Sequence, residues 1–396
     1  MTARPAPTDH DVIVVGARCA GAGTALLLAR LGLSVLVLDR APATGDTLST
    51  HALLRAGVLQ LSRWGVLDRV VAAGTPPVRR TTFHLAAGDI PIDIKPAGRV
   101  DALYAPRRSV LDTILVEEAE AAGADVRLGV RVEGLIDDGH RVSGVRAVDA
   151  SGRRFEATAR LVVGADGRGS VVAASVDAPI ERWAAATSTI VYGYVAGLPA
   201  DGYHWWFRGG HSAGLIPTNG GEHCLFVGGP EGHWDTLDAG SPSAVLVPAA
   251  LEVAPELAEP LAAVGVRGAR RFGGQPGYLR RPWGPGWALV GDAGSFKDPI
   301  SAHGISDALR DAELLARAVA AIESGTPEAD ALGAYHDQRN RLSLALFDVT
   351  EKLAAHVWDD GAVGDILIEL SASMTDEVEY LSQLGPLEAA VVDRVA

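Results

Sequence analysis

Gly16-Ala17-Arg18-Cys19-Ala20-Gly21 forms a short turn between an apolar run, Asp11 to Val15, and a leucine-rich run, Thr24 to Leu31. Residues of this kind, between a strand and a helix, bind a diphosphate. The first backbone N–H groups of the helix have no internal partner, and the helix dipole adds partial positive charge. Gly16 permits the tight turn and Gly21 permits close packing of the helix. The middle position, usually glycine, is Arg18, whose guanidinium can swing aside and pair with a phosphate. Cys19 and Ala20 complete the cofactor-binding turn, with Cys19 read as a small buried residue rather than a redox thiol. Asp39 ends the following strand, where a carboxylate can accept hydrogen bonds from ribose hydroxyls, and Arg40 is placed along an adenine.

Further clusters stand far along the chain. Gly164-Ala165-Asp166-Gly167-Arg168-Gly169-Ser170 follows the apolar run Leu161-Val162-Val163, and Gly291-Asp292-Ala293 follows Trp287 to Val290. An acid just past a buried strand sits at the carboxyl edge of a sheet, where ligands bind in open α/β folds. Pro299 to Gly304 then makes a loop that contains His303. Histidine is the natural proton handler near neutral pH, so His303 and His51 are candidate catalytic groups. Each is weighed against a role as a hydrogen-bonded structural imidazole. Asp298 is either an acid beside the reacting centre or a residue that fixes its own loop.

The elements that must position these residues are legible in outline. Strand, turn, helix, strand opens the chain. A helix is expected around Leu53 to Arg69 and another over Arg107 to Ala122, with a strand and meander from Val126 to Ala159. Aromatic residues concentrate between Ser188 and Tyr278, among them Tyr192, Tyr194, Trp205, Trp206 and Phe226, in β-like runs broken by glycine. Helices dominate from Asp307 onward. Leu342, Leu344, Leu346 and Phe347 there offer either a cap on the first domain or a homodimer contact.

Bulk properties narrow the partners. The 396 residues exceed one ordinary domain. A net charge of −14 speaks against nucleic acid. Two cysteines make neither a disulfide framework nor a zinc site, so no metal is expected. No signal peptide or transmembrane span is read, and a cytoplasmic setting is the default expectation.

Taken in order and spacing, the three glycine–acid motifs and the Pro299, His303-Gly304 and Asp311-Ala312 positions resemble FAD-dependent monooxygenases of the para-hydroxybenzoate hydroxylase fold, within a superfamily that includes geranylgeranyl reductase-like and halogenase proteins. The resemblance covers about residues 10 to 350. It implies an α/β fold: a Rossmann-like FAD-binding domain (1–77, 106–174, 281–325) interleaved with an α+β substrate domain on an antiparallel sheet (78–105, 175–280), and a C-terminal helical region (326–396). It also implies that Arg108, Val132, Asp166, Gly167, Asp292 and Pro299 contact or support FAD, and that Gly304 and Ile305 present N–H groups to the flavin carbonyl. Arg18, Ala302, Ser306 and Ala173 depart from the family pattern.

By that resemblance the expected activity is hydroxylation of an aromatic or polyketide-like small molecule, with NADH or NADPH as reductant and O2 adding to the ring as a hydroperoxide. An FAD-dependent reductase or dehydrogenase that inserts no oxygen is the alternative. A non-catalytic flavin redox sensor is the third reading. A halogenase is disfavoured because the W-x-W-x-I-P pattern is missing.

Overall fold

The computed structural model describes residues 9–96, 100–198, 201–236 and 241–387. The chain begins with β1 (His10–Val15), α1 (Cys19–Arg30) and β2 (Val35–Asp39). Next come α2 (Arg55–Arg63), α3 (Leu67–Ala72) and the hairpin β3 (Arg80–Leu85) and β4 (Gly88–Asp93). Then α4 (Arg108–Ala121) leads to β5 (Asp125–Leu128), β6 (Arg131–Asp137), β7 (Val142–Val148), β8 (Arg154–Gly164) and α5 (Val171–Ser175). The middle holds β9 (Ile180–Trp183), β10 (Ser188–Ala196), β11 (Tyr203–Arg208), β12 (His211–Pro217), β13 (Glu222–Pro230), α6 (Pro242–Val253), α7 (Ala258–Ala262) and β14 (Arg267–Phe272). Short strands β15 (Tyr278–Arg280), β16 (Trp283–Gly284), β17 (Trp287–Leu289) and β18 (Ser295–Phe296) precede α8 (Gly304–Glu323), α9 (Glu328–Ala354) and α10 (Val363–Gln383).

The first sheet runs β16-β17-β8-β1-β2-β5, with β7 and β6 joined through β8. Its pairs β17·β8, β8·β1, β1·β2 and β2·β5 are parallel. Alternation explains both faces: Val12 and Val14 pack against α1, α4 and α8, while Ile13 and Val15 pack against the β6–β7 meander.

The second sheet runs β14-β10-β13-β12-β11-β3-β4 and is antiparallel except at β11·β3. On β10, Val191 and Val195 face α6, while Tyr192 and Tyr194 join a second cluster with Trp205, Phe226 and Leu353.

Three expectations shift. The first helix starts at Cys19, inside the glycine turn, so that Gly21 lies in its first turn against the Gly16 carbonyl. The helix expected over Leu53 to Arg69 breaks at Gly65 (φ +71°) into α2 and α3. The region expected as strands contains α6, which opens with a Ser241 cap and a proline in its first turn. Leu342, Leu346 and Phe347 are buried within the chain, and Leu344 is exposed. No helix among the described residues is long and apolar enough to cross a membrane.

Candidate flavin site at the carboxyl edge of the parallel sheet

β1, β8 and β17 end side by side, with Val15 opposite Gly164 and Leu289 opposite the same Gly164. The three glycine–acid motifs therefore meet at one sheet edge. The packing there allows no side chain at the two glycines of the turn. A Cβ on Gly21 would lie 1.8 Å from the Gly16 carbonyl oxygen, and one on Gly16 would lie 2.4 Å from the Ala165 oxygen. Gly16 also has φ +105°. Gly291, before Asp292, is also crowded: its Cβ would come within 2.9 Å of Ala20 Cβ. By contrast, Gly167 and Gly304 face open space.

Charged groups ring this edge. Asp39 Oδ2 accepts from Ala17 N at 2.7 Å and Oδ1 from Ala41 N at 2.8 Å, so the carboxylate first braces the turn and keeps lone pairs for a hydroxyl. Arg40 is exposed and Val132 is buried on β6 in the core below Leu36 and Leu38. Arg18 caps α1 with no side-chain hydrogen bond, and its guanidinium stands 3.7 Å from Asp112. Cys19 Sγ donates to Asp112 Oδ1 at 3.3 Å, and burial pushes its thiol up to about 12. Arg108 grips Asp112 through Nε and Nη2 at 3.0 and 2.9 Å. Burial opposes the charge on Arg108, but Asp112 more than offsets it.

Asp166 takes N–H groups from Val171 and Val172 on Oδ2, while its buried Oδ1 has no partner. Burial raises its carboxyl above the usual range. Asp292 accepts no hydrogen bond on its carboxylate among the described residues. Burial raises it to about 6, against the pull of Arg168 and Arg108.

A second wall comes from the other sheet. His51, in the loop after β2, is buried at φ +68°, a conformation that non-glycine residues rarely adopt. Its Nε2 lies 2.5 Å from Tyr194 Oη on β10. Burial, with Arg107 and Arg108, drops the imidazole to about 3 despite Asp46, so His51 is neutral. Arg107 stacks 3.5 Å over the Tyr194 ring and binds Asp46 and Glu222. Burial opposes the Asp46 charge, but Arg107 and Ser109 hold the carboxyl down to about 2. Tyr192 Oη donates to Thr47 O at 3.1 Å. Tyr194, Arg107 and Asp46 were not read as site residues from sequence; the only signal was Tyr192 and Tyr194 sharing one face of a strand.

The Pro299 loop holds the third group. Asp298 Oδ2 accepts from Ser188 N at 2.7 Å and Oδ1 from Ile300 N at 3.0 Å, which is the loop-fixing role. Pro299 opens the turn after Asp298, and Ala302 ends it at φ +52°. That left-handed angle is one reason glycine is usual at the position. His303 is buried at the head of α8, ahead of Gly304 and Ile305, and its Nε2 lies 2.5 Å from Glu377 Oε2. Glu377 Oε1 takes Arg310, Arg310 also binds Asp307 and Asp311, and Lys297 stands 2.8 Å from Asp307. His303, Asp307 and Glu377 have the mutual spacing of metal ligands. Lys297 and Arg310 already pair with the two carboxylates, so the charge a metal would neutralise is already balanced. His303 and His51 stay in separate clusters on the two walls.

The FAD binding domain family matches residues 9–350. The chain belongs to that family. Among curated proteins, a digeranylgeranylglycerophospholipid reductase of Methanosarcina mazei is 26% identical over 96% of this chain and 92% of its own length. A probable electron transfer flavoprotein-quinone oxidoreductase of Escherichia coli (strain K12) is 34% identical over 42% of this chain, and the match spans only 38% of that protein.

Among solved structures, the myxobacterial chondrochloren halogenase CndH superposes with a TM-score of 0.77 at 21% identity, covering 97% of this chain and 94% of that one. The probable FAD-dependent monooxygenase PqsL of Pseudomonas aeruginosa does so with 0.73 at 23%, covering 92% and 99%. These likenesses establish the para-hydroxybenzoate hydroxylase fold. As a member of the FAD binding domain family, the protein is an FAD-dependent oxidoreductase. The residues fit that group: Gly16 and Gly21 leave no room for a Cβ in the α1 turn, Asp166 Oδ1 and the Asp292 carboxylate have no hydrogen-bond partner among the described residues, and open space lies beside Gly167 and Gly304.

Proposed function

We propose that this FAD-dependent oxidoreductase is a cytoplasmic monooxygenase that hydroxylates an aromatic or polyketide-like small molecule, with NADH or NADPH as reductant and O2 as oxidant. One observation carries this reading. The second-sheet wall is aromatic and hydrogen-bonding, with Tyr192, Tyr194, His51 and Arg107 joined within contact distance. Such a wall suits a compact substrate with rings and hydroxyl groups better than a long isoprenoid chain.

When bound, FAD supplies the redox chemistry. The protein's part is binding, orientation, dryness and charge. The N–H groups at the start of α1 and Arg18 would hold the diphosphate, and Asp39 the ribose. Arg108 stays charged beside Asp292, which would accept from ribityl hydroxyls. Gly304 and Ile305 would offer N–H groups to the flavin pyrimidine, where the α8 dipole favours negative charge. His51, held neutral, shares one hydrogen bond at Nε2 with Tyr194, which fixes both side chains without placing a charge in the wall. The packed rings of Tyr192, Tyr194, Trp205 and Phe226 exclude water.

A second reading, reduction of a carbon–carbon double bond without oxygen insertion, is favoured by the near full-length match to the Methanosarcina mazei reductase. Turnover with reduced nicotinamide and 18O2 separates the two. Label in the product supports hydroxylation. Oxygen-independent saturation of the substrate supports the second reading. Purified protein that takes up no FAD ends both.

A further inference from the structure

The last helix looks at first like a peripheral cap. Val363, Glu377 and Leu381 are its buried residues, while Ile368 is 69% exposed. A glutamate among so few buried side chains is unusual, because an ionised carboxylate is costly to take out of water unless it is paired. Glu377 is fully paired. Oε2 meets His303 Nε2 at 2.5 Å and Oε1 takes Arg310 Nη1 at 3.1 Å.

The hydrogen bonds assign the protons. Arg310 and His303 hold Glu377 as a carboxylate, against the opposing effect of burial. A carboxylate only accepts, so the 2.5 Å contact requires the hydrogen on Nε2 of His303. The other ring nitrogen, Nδ1, is buried without a partner. His303 is also the residue whose backbone opens α8.

The geometry points to Glu377 as a positioning residue. From the C-terminal helix it holds His303 with the hydrogen on Nε2 aimed at the carboxylate and Nδ1 without a partner at the head of α8. This rests on the flavin site proposed above, and makes α10 part of that site. The charged groups around His303 are Glu377 on α10, Asp307, Arg310 and Asp311 on α8, and Lys297 in the preceding loop.

Two measurements test this. The first uses apoprotein labelled with 15N-histidine, in which His303 is identified by the signals lost in His303→Gln. His303 is expected to show a protonated Nε2 in the wild type, and Glu377→Gln is expected to release that tautomer preference. The second follows the flavin midpoint potential against pH in the holoprotein. That potential should differ between the wild type and Glu377→Gln, with partial return in Glu377→Asp. If Glu377→Gln fails to fold, Glu377→Asp carries the same readouts, its shorter reach lengthening the contact. His303 signals and a potential profile identical in wild type and variant overturn the proposal. Failure of FAD uptake defeats the flavin reading separately, and the labelled apoprotein still decides the His303–Glu377 pair.

Discussion

His51 Nε2 and Tyr194 Oη stand 2.5 Å apart although 143 positions separate them in the chain. The contact joins the loop after β2 to the central part of the second sheet, so it reports whether the two sheets are correctly seated. Tyr194→Phe leaves a buried imidazole nitrogen unpaired, which costs about 1–3 kcal/mol. Urea unfolding should show that loss, while FAD content stays near that of the wild type and substrate turnover falls. Unchanged turnover would remove this pair from the reaction.

The strained angle at His51 gives a second test. Asparagine tolerates φ near +68° far better than a β-branched residue. His51→Val should therefore be less stable than His51→Asn by about 1–2 kcal/mol in matched denaturant titrations. Equal stabilities would show that the loop relaxes out of this conformation.

Gly21→Ala puts a methyl group 1.8 Å from the Gly16 oxygen, against backbone that cannot yield cheaply. The expected loss is about 2–4 kcal/mol, with little FAD retained after purification. Gly304→Ala faces open space and should fold normally while weakening FAD affinity. A Gly304→Ala protein with full affinity would mean that the flavin does not approach α8 there.

Asp292 ties stability to pH in an unusual direction. Its folded pKa, about 6, exceeds the ordinary 3.8 because burial disfavours the anion. The folded state therefore binds the extra proton between those values. The contribution of this group to stability rises as pH falls through the window and is lost above it. Asp292→Asn should flatten that part of the apoprotein's profile, stabilising it by about 1–2 kcal/mol at pH 7. In the holoprotein a hydroxyl donating to the carboxylate favours the anion, so FAD affinity should weaken as pH falls through 6 in the wild type only. Fluorescence titrations at several pH values measure this.

Both cysteines should be inert. Burial pushes Cys19 to about 12 and Cys224 upward as well. Ellman's reagent at pH 8 should find no thiol in the native protein and two after denaturation. A fast-reacting native thiol would contradict the burial of Cys19 beside Asp112.

Local sequence was enough for the dinucleotide end of the molecule. A buried parallel strand, a tight turn and a helix are specified by residues close together in the chain. Gly16 and Gly21 have to be glycine because their backbone neighbours leave no room for a Cβ. Asp166 and Asp292 were recognisable for a related reason: each follows an apolar strand, and such strands end where a parallel sheet opens to ligand. The break at Gly65 and the helix α6 were less legible. Gly65 stands between segments that each have helical composition, and α6 mixes valine, leucine and proline in a run that local propensity alone does not assign.

The partners of the two histidines depended on tertiary structure. His51 needed a tyrosine from a strand of the other sheet, and His303 needed a glutamate from the last helix, 74 positions away. No periodicity relates such residues, because their meeting is decided by how sheets and helices pack after each has formed. The same packing set the charge states at the site. A carboxylate or imidazole titrates according to what is buried around it, and that environment exists only in the folded chain.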